Sequence, residues 1–293
     1  MVLKYLIIVN PAANGGKARK LWPKIKVVLD RQKVNYSVKF SQYHKNEDLI
    51  AEEIAKKARL GEVTLVIGGD GTLSRVINVF ENFKSKRLPI AYLPTGRKNI
   101  FAKIHGISLN WRRELKNILQ KSDQAQPTKI GYFNQQIKRR RHYFINDTGI
   151  GFDTDLISAT IRPKINRHLI HKILIIINLM YNLQYFPLEI YHSGRATTLK
   201  RVFLVNVSTH YHNHPSPKLH LLVIERRNFL IMAYIFIKLL MGKQIHLKAV
   251  HLLNGRKFHF GIPALEYGHA DGESLGSQYY DVDYHLTTYP LIF

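Results

Sequence analysis

Gly68-Gly69-Asp70-Gly71-Thr72 joins the β-branched run Val63 to Ile67 to a helical stretch. In that setting glycines bring backbone N–H groups against phosphate oxygens, and the helix N-terminus favours negative charge. Asn10-Pro11-Ala12-Ala13-Asn14-Gly15-Gly16 has the same setting after the apolar run Tyr5 to Val9. Its Asn14 is one of the few non-glycine residues that tolerate the left-handed backbone region. Taken singly, a Gly-Gly-Asp-Gly turn serves as a plain strand-to-helix turn as readily as a phosphate site. Two such loops on neighbouring strands favour a nucleotide. Neither is a Walker A loop, and no G-x-G-x-x-G occurs.

The elements that must hold these loops read as an alternation. Residues 2–9 are strand-like, 17–31 helical and 34–40 strand-like. A capped helix follows, with Asn46, Glu47 and Asp48 at its start, Lys56, Lys57 and Arg59 in its last turn and Gly61 behind it. Val63 to Ile67 and Leu88 to Leu93 are further strands, the second ending in Pro94-Thr95-Gly96. Strand–helix alternation up to about Lys121 predicts a parallel sheet covered by helices, with ligands at the carboxyl ends of the strands, where all three glycine-bearing loops fall. After Pro127 the pattern becomes mostly strand-like (128–134, 142–146, 197–208, 218–224, 256–262), with helical runs near 166–185 and 227–241. The expected fold is an α/β nucleotide-binding domain with a parallel sheet over residues 1–127 and a second, β-rich domain over 128–275.

The chain has 293 residues, and 44 Lys and Arg against 20 Asp and Glu leave a net charge of +24. With 45% apolar residues, a disordered basic tail is excluded. No cysteine is present, which removes disulfide scaffolds, cysteine-ligated metals and thiol nucleophiles. Between Leu156 and Leu265 there are 15 Lys or Arg, two acids (Glu189 and Glu225) and ten of the 15 histidines. That points to an anionic partner: nucleic acid, polyphosphate or an anionic bilayer surface. A chain merely kept soluble by its charge stays open beside it. No zinc-finger or helix-turn-helix signature supports nucleic acid, so no nucleic-acid partner is expected. The dense run Lys138 to His142 reads as a solvated hairpin tip.

Tyr5 to Val9, stopped by Asn10-Pro11, is too short for a signal peptide. Ile173 to Leu179 and Phe229 to Met241 are the longer apolar runs. A 13-residue helix spans about 20 Å against a hydrocarbon core of roughly 30 Å, so neither is read as membrane-spanning. Phe229 to Met241 is expected to be a core helix. His210-x-His212-x-His214 has zinc-ligand spacing if it lies on a strand, but Pro215 and Pro217 suggest a loop, and no metal site is expected there.

Three further stretches make a resemblance specific. Asn10 to Ala18, Gly68 to Thr72, and Leu93-Pro94-Thr95-Gly96 with Asn99, Phe101 and Ala102 resemble, in order, the three nucleotide-loop motifs of the diacylglycerol kinase catalytic domain. Phe144-Ile145-Asn146 with Gly149 to Asp153 resembles that family's entry to its second domain, and Asp271-Gly272-Glu273 its late Asp-Gly-Glu element. In layout the chain is similar to the bacterial soluble lipid kinases, more distantly to sphingosine kinases, and shares mainly the Gly-Gly-Asp-Gly loop with NAD kinases.

The resemblance implies a two-domain kinase, an α/β nucleotide-binding domain with a parallel sheet and a second β-sandwich-like domain, in which ATP and a lipid hydroxyl meet in the cleft, with Mg²⁺ on the phosphates. Asp271 is then the catalytic base, supported by Glu273, and Asp70 belongs to the catalytic and metal network. Asn10, Asn14, Gly16, Gly68, Gly69, Asp70, Gly71, Thr72, Gly96 and Asn99 hold the nucleotide. The segment from about Gly276 is implied to return onto the first domain. A cytoplasmic, peripherally membrane-associated enzyme follows, its acceptor a lipid with a free hydroxyl and its surface partner an anionic membrane; a homodimer is left open.

The chain also departs from the family pattern. Ile100 and Lys129 stand where acids are usual, Ser74 and Arg75 where Asn and Glu are common, and the stretch His210 to Leu222 lacks the acids of a structural Mg²⁺ loop. Fewer carboxylates and the added Arg97, Lys98 and Lys129 should weaken Mg²⁺ binding. Two readings follow: a lipid kinase with an altered metal network, or a degenerate kinase fold that binds an anionic nucleotide or lipid.

Overall fold

The computed structural model describes residues 3–43, 46–59, 61–83, 87–135, 140–152, 184–192, 194–211, 214–240 and 247–293. The apolar run residues 173–179, most of the helix expected over 166–185, and Lys138, Arg139 and His212 lie outside the described residues.

The first part alternates as β1 (Lys4–Val9), α1 (Ala13–Arg31), β2 (Asn35–Phe40), α2 (Asn46–Lys57), β3 (Glu62–Gly68), α3 (Asp70–Asn82), β4 (Ile90–Pro94), α4 (Ile100–Ile104) and α5 (Trp111–Gln120). The four strands pair in parallel in the order β4-β3-β1-β2. Both faces are covered, which is why these strands are continuous apolar runs rather than alternating ones. Tyr5, Ile7 and Val9 pack with Ile25 and Leu29 of α1 and Leu115 and Ile118 of α5. Leu6, Ile8 and Val66 pack on the other face with Ile50 and Ile54 of α2 and Val76 and Ile77 of α3. Because the strands are parallel, all their carboxyl ends, and the loops that leave them, gather on one edge.

The remainder is antiparallel: β5 (Gln126–Gln135), β6 (Arg140–Phe144), β7 (Asp147–Gly151), β8 (Phe186–His192), β9 (Arg195–Tyr211), β10 (His214–Glu225), α6 (Phe229–Leu240), β11 (Val250–Gly255), β12 (Lys257–Ala270) and β13 (Glu273–Ile292). Its core includes Phe133, Phe144, Val205, Val223, Phe258, Phe260 and Tyr284. β13 binds the two parts together. It pairs antiparallel with β12 and β5, then adds Leu291 and Ile292 in parallel to Ile90 and Ala91 of β4. Among the described residues the hydrogen bonding of thirteen strands is therefore continuous from the parallel edge to β11.

Two local expectations change. His210 lies next to the end of β9 and His214 opens β10, so they sit across a hairpin with Tyr211 opposite His214 and His210 opposite Pro215. The Pro215–Pro217 stretch belongs to β10, not to a loop. The core helix α6 is only half a core helix. Met232 and Ile235 are buried against Phe203, Leu204, Ile224 and Ala249, whereas Leu230 is 76% exposed. Hydropathy distinguishes these faces only at Lys238, because every other residue of the helix is apolar or aromatic. No described helix is long and apolar enough to cross a membrane.

Candidate nucleotide and phosphoryl-transfer site

Each parallel strand delivers one loop. After β1, the Asn10 side chain accepts from the Ala12 N–H at 3.0 Å, and Asn14, Gly15 and Gly16 follow with φ of 50°, 64° and 93°. Three consecutive left-handed residues turn the chain before the regular helical turns of α1 begin at Lys17. Asn10 Nδ2 donates to Thr72 Oγ1 at 3.0 Å, tying this loop to the one after β3. Replacing Asn10 by Leu should remove about 1 kcal/mol. We expect a Tm lower by roughly 2 °C and weaker nucleotide binding, read by differential scanning fluorimetry with and without ATP.

The loops after β3 and β4 touch through their glycines. The Thr95 N–H donates to the Gly68 carbonyl at 2.8 Å, and a Cβ on Gly96 would lie 2.6 Å from the Gly69 Cα and 2.7 Å from Asn99 Oδ1. Asp70 completes the junction. Its Oδ2 accepts the Ile100 N–H at 2.6 Å and its Oδ1 accepts the Tyr92 hydroxyl at 3.2 Å, so it closes the start of α4 from another loop. Burial raises its pKa above the ordinary aspartate value, opposed by these donors. Asn99, at φ 46°, donates from Nδ2 to the Gly96 carbonyl at 3.0 Å; its Oδ1 and Thr95 Oγ1 are buried without a hydrogen-bond partner. Closely approaching glycine backbones and orphaned polar atoms at one strand edge suit a phosphate-bearing ligand.

Asp271 reaches this edge from the second part of the chain. It sits at φ 50° between β12 and β13, and its own N–H donates to the Asp147 carbonyl at 2.8 Å. Its carboxylate accepts N–H groups of Ile145 at 2.8 Å, Asn146 at 2.7 Å and Asp147 at 3.3 Å. A further bond to Ser74 links it to the helix that starts at the Gly-Gly-Asp-Gly loop. Burial pushes its pKa up to about 7, because desolvation outweighs the donors that favour the anion. A carboxylate poised near neutrality, beside a phosphate loop, is suited to accept a proton.

Glu273 lies against the same loop: a Cβ on Gly71 would come within 3.2 Å of Glu273 Oε1. Its Oε2 accepts from Arg75 Nη2 at 2.5 Å, and Arg75 also reaches Asp48 at 3.5 Å. The departure at position 75 thus has a structural meaning, since a guanidinium on α3 spans α2 and the Asp-Gly-Glu turn. Arg97, Lys98 and Lys129 are exposed. Among the described residues no three His, Asp or Glu side chains form a metal-holding group. Asp70 is the acid carried by the glycine loops, and its two oxygens are engaged by Ile100 and Tyr92.

The structure brings Asn10, Thr72, Gly68, Gly69, Asp70, Gly71, Gly96, Asn99, Asp271 and Glu273 to one region, and holds Asn14 and Gly16 in the turn beside Asn10. Tyr92 and Arg75 were not foreseen as partners. Tyr92 carries no sequence signal, and Arg75 stood out only as a departure.

Residues 4–131 match the family model described as the diacylglycerol kinase catalytic domain. A Bacillus subtilis (strain 168) protein named "Putative lipid kinase YtlR" is 22% identical over 304 residues, covering 93% of this chain and 94% of its own. Two solved structures from Bacillus anthracis str. Sterne share the fold. One, a diacylglycerol kinase, superposes with TM-score 0.68 at 19% identity, over 99% of this chain and 96% of that one. The other, described as "A putative diacylglycerol kinase", gives TM-score 0.72 at 19% identity over 99% and 97%. Residues 4–131 thus match the diacylglycerol kinase catalytic-domain model, and the chain as a whole shares the fold of the two solved structures.

Proposed function

We propose that the protein is an ATP-dependent lipid kinase that transfers the γ-phosphoryl group to a lipid hydroxyl. The observation that carries this reading is Asp271, a desolvated carboxylate with a pKa near 7, fixed by three backbone N–H groups and bonded to Ser74 of the phosphate-loop helix. Asp271 takes the hydroxyl proton as the oxygen attacks the γ-phosphorus; the bond to the β,γ-bridging oxygen breaks and ADP leaves. The glycine backbones at 68–72 and 96 hold the phosphates, and Asn10 and Asn99 keep the loops in register. Mg²⁺, bound by the phosphates and Asp70, would neutralise charge on the transferring group.

A cavity of about 600 Å³ opens beside Glu273 between α3 and β5, β6 and β13. Val79, Phe83, Phe133 and Leu275 give it apolar walls, and Ser74, Arg75 and Arg141 a polar side. That combination and size suit the hydroxyl-bearing end of a lipid. Leu275→Trp should raise the KM for the lipid about tenfold while the KM for ATP stays put. Steady-state kinetics with each substrate varied in turn will show this.

The direct test is γ-labelled ATP with Mg²⁺ or Mn²⁺ and mixed lipid extract, beside an Asp271→Asn control. Label in lipid that vanishes in the control supports the kinase. A second reading, a nucleotide- or lipid-binding protein without turnover, draws on Asp70, whose two oxygens are already engaged by Ile100 and Tyr92. It predicts nucleotide binding by calorimetry and no labelled lipid with either metal. Cytoplasmic residence with peripheral contact to an anionic membrane is part of the kinase proposal.

A further inference from the structure

The outward side of α6 carries three aromatic or aliphatic residues that the protein leaves in solvent. Leu230 is 76% exposed, Phe229 48% and Tyr234 46%. Leu230, Tyr234 and Lys238 recur every four residues and so share one face of the helix. The opposite face is committed, with Met232 and Ile235 buried in the cluster of Phe203, Leu204, Ile224 and Ala249. Lys238 lies over the Tyr234 ring at 5.3 Å. At the other end of the helix, exposed Tyr185 has Arg226 at 5.3 Å and Arg201 at 5.5 Å from its ring. Arg227, beside Arg226, is exposed and faces Glu225 at 3.6 Å. An apolar strip flanked by four cations and one acid is thus presented on a helix whose inner side is fixed.

We propose that this face of α6, with Tyr185, Arg201, Arg226, Arg227 and Lys238, is a docking surface for an anionic lipid bilayer. Charge decides the occupant. In a two-fold pair of chains the same patch meets itself, which would bring these cations together, whereas an anionic headgroup layer neutralises them. The residue types also suit an interface: tyrosines prefer the boundary between headgroups and acyl chains, and a leucine reaches further in. At 12 residues α6 is about 18 Å long, too short to span, and its buried inner face keeps it lying in the surface plane. The inference deepens the lipid-kinase reading by naming the side that meets the membrane, and rests on it only for why a membrane is approached.

Co-sedimentation of the full chain with phosphatidylglycerol–phosphatidylcholine vesicles, against phosphatidylcholine alone, tests the surface without ATP or turnover. Binding to the anionic vesicles is expected, falling about tenfold or more in Leu230→Asp and about fivefold in Lys238→Glu. Lys116→Glu, on α5, should change little. In Leu230→Trp, emission should shift to the blue with anionic vesicles once the spectrum of the unchanged protein is subtracted. Circular dichroism and Tm establish that each variant is folded. Unaltered anionic binding in Leu230→Asp overturns the proposal. So does a Leu230→Asp variant that converts a dimer to monomers by sedimentation while still pelleting with vesicles, which would make the strip a self-association face. Failure of phosphoryl transfer with the vesicle pattern intact would count against the kinase reading alone.

Discussion

At pH 8, Asp271→Asn should transfer phosphate about 10²- to 10⁴-fold more slowly than the unchanged protein, with nucleotide affinity retained. The substitution is nearly isosteric. Its amide oxygen can still accept the Asn146 and Asp147 N–H groups, while its NH₂ is turned against the Ile145 N–H that now meets Oδ2. The lost acceptor costs about 1–3 kcal/mol and is offset in part because no charge remains desolvated. A rate equal to the parent's in the labelled-ATP assay would remove Asp271 from the chemistry.

The pH dependence gives the same residue a second signature. With its pKa raised to about 7, Asp271 is protonated and unable to serve as base in mild acid, so kcat/KM should rise with pH and level off above about 7. Stability moves the other way. Between the ordinary aspartate value near 4 and about 7 the folded state holds a proton that the unfolded chain has released, so stability contributed by Asp271 is lost as pH rises through that window. Urea melts at pH 5 and pH 8 should show this slope in the parent and a shallower one in Asp271→Asn. Equal slopes would contradict the burial-driven shift.

Gly96→Ala should abolish measurable nucleotide binding and lower stability by about 1–3 kcal/mol. The new methyl would sit 2.6 Å from the Gly69 Cα, a backbone atom that no rotamer change can move, and 2.7 Å from Asn99 Oδ1. The loops after β3 and β4 must then part, stretching the Thr95–Gly68 and Ile100–Asp70 bonds. Gly69→Ala approaches Gly96 at 3.2 Å and should be milder. Calorimetry with a non-hydrolysable ATP analogue, with Tm alongside, tests the order. Parent-like affinity in Gly96→Ala would dismiss the loop pair as a phosphate cradle.

How far the sequence reaches can be seen residue by residue. The runs Tyr5 to Val9, Val63 to Ile67 and Leu88 to Leu93 are largely β-branched or otherwise apolar and end in Asn, Gly or Pro, so strand type and loop position were legible locally, although the third strand starts only at Ile90. The left-handed turn at Asn14 to Gly16 was legible too, because it follows from residue type.

Tertiary structure decided the rest. Asp271 finds its donors at 145–147, more than 120 residues away, and Arg75 meets Glu273 across 198. β13 reaches β4 from the far end of the sequence, setting Leu291 and Ile292 beside Ile90 and Ala91. In α6 a sequence apolar except at Lys238 determined that the helix would bury one side, and that lysine alone marked the other. Periodicity and residue type report what a segment prefers by itself. Partner choice across a sheet, and the face of a helix left to solvent, depend on surfaces that exist only once the chain has closed its long loops.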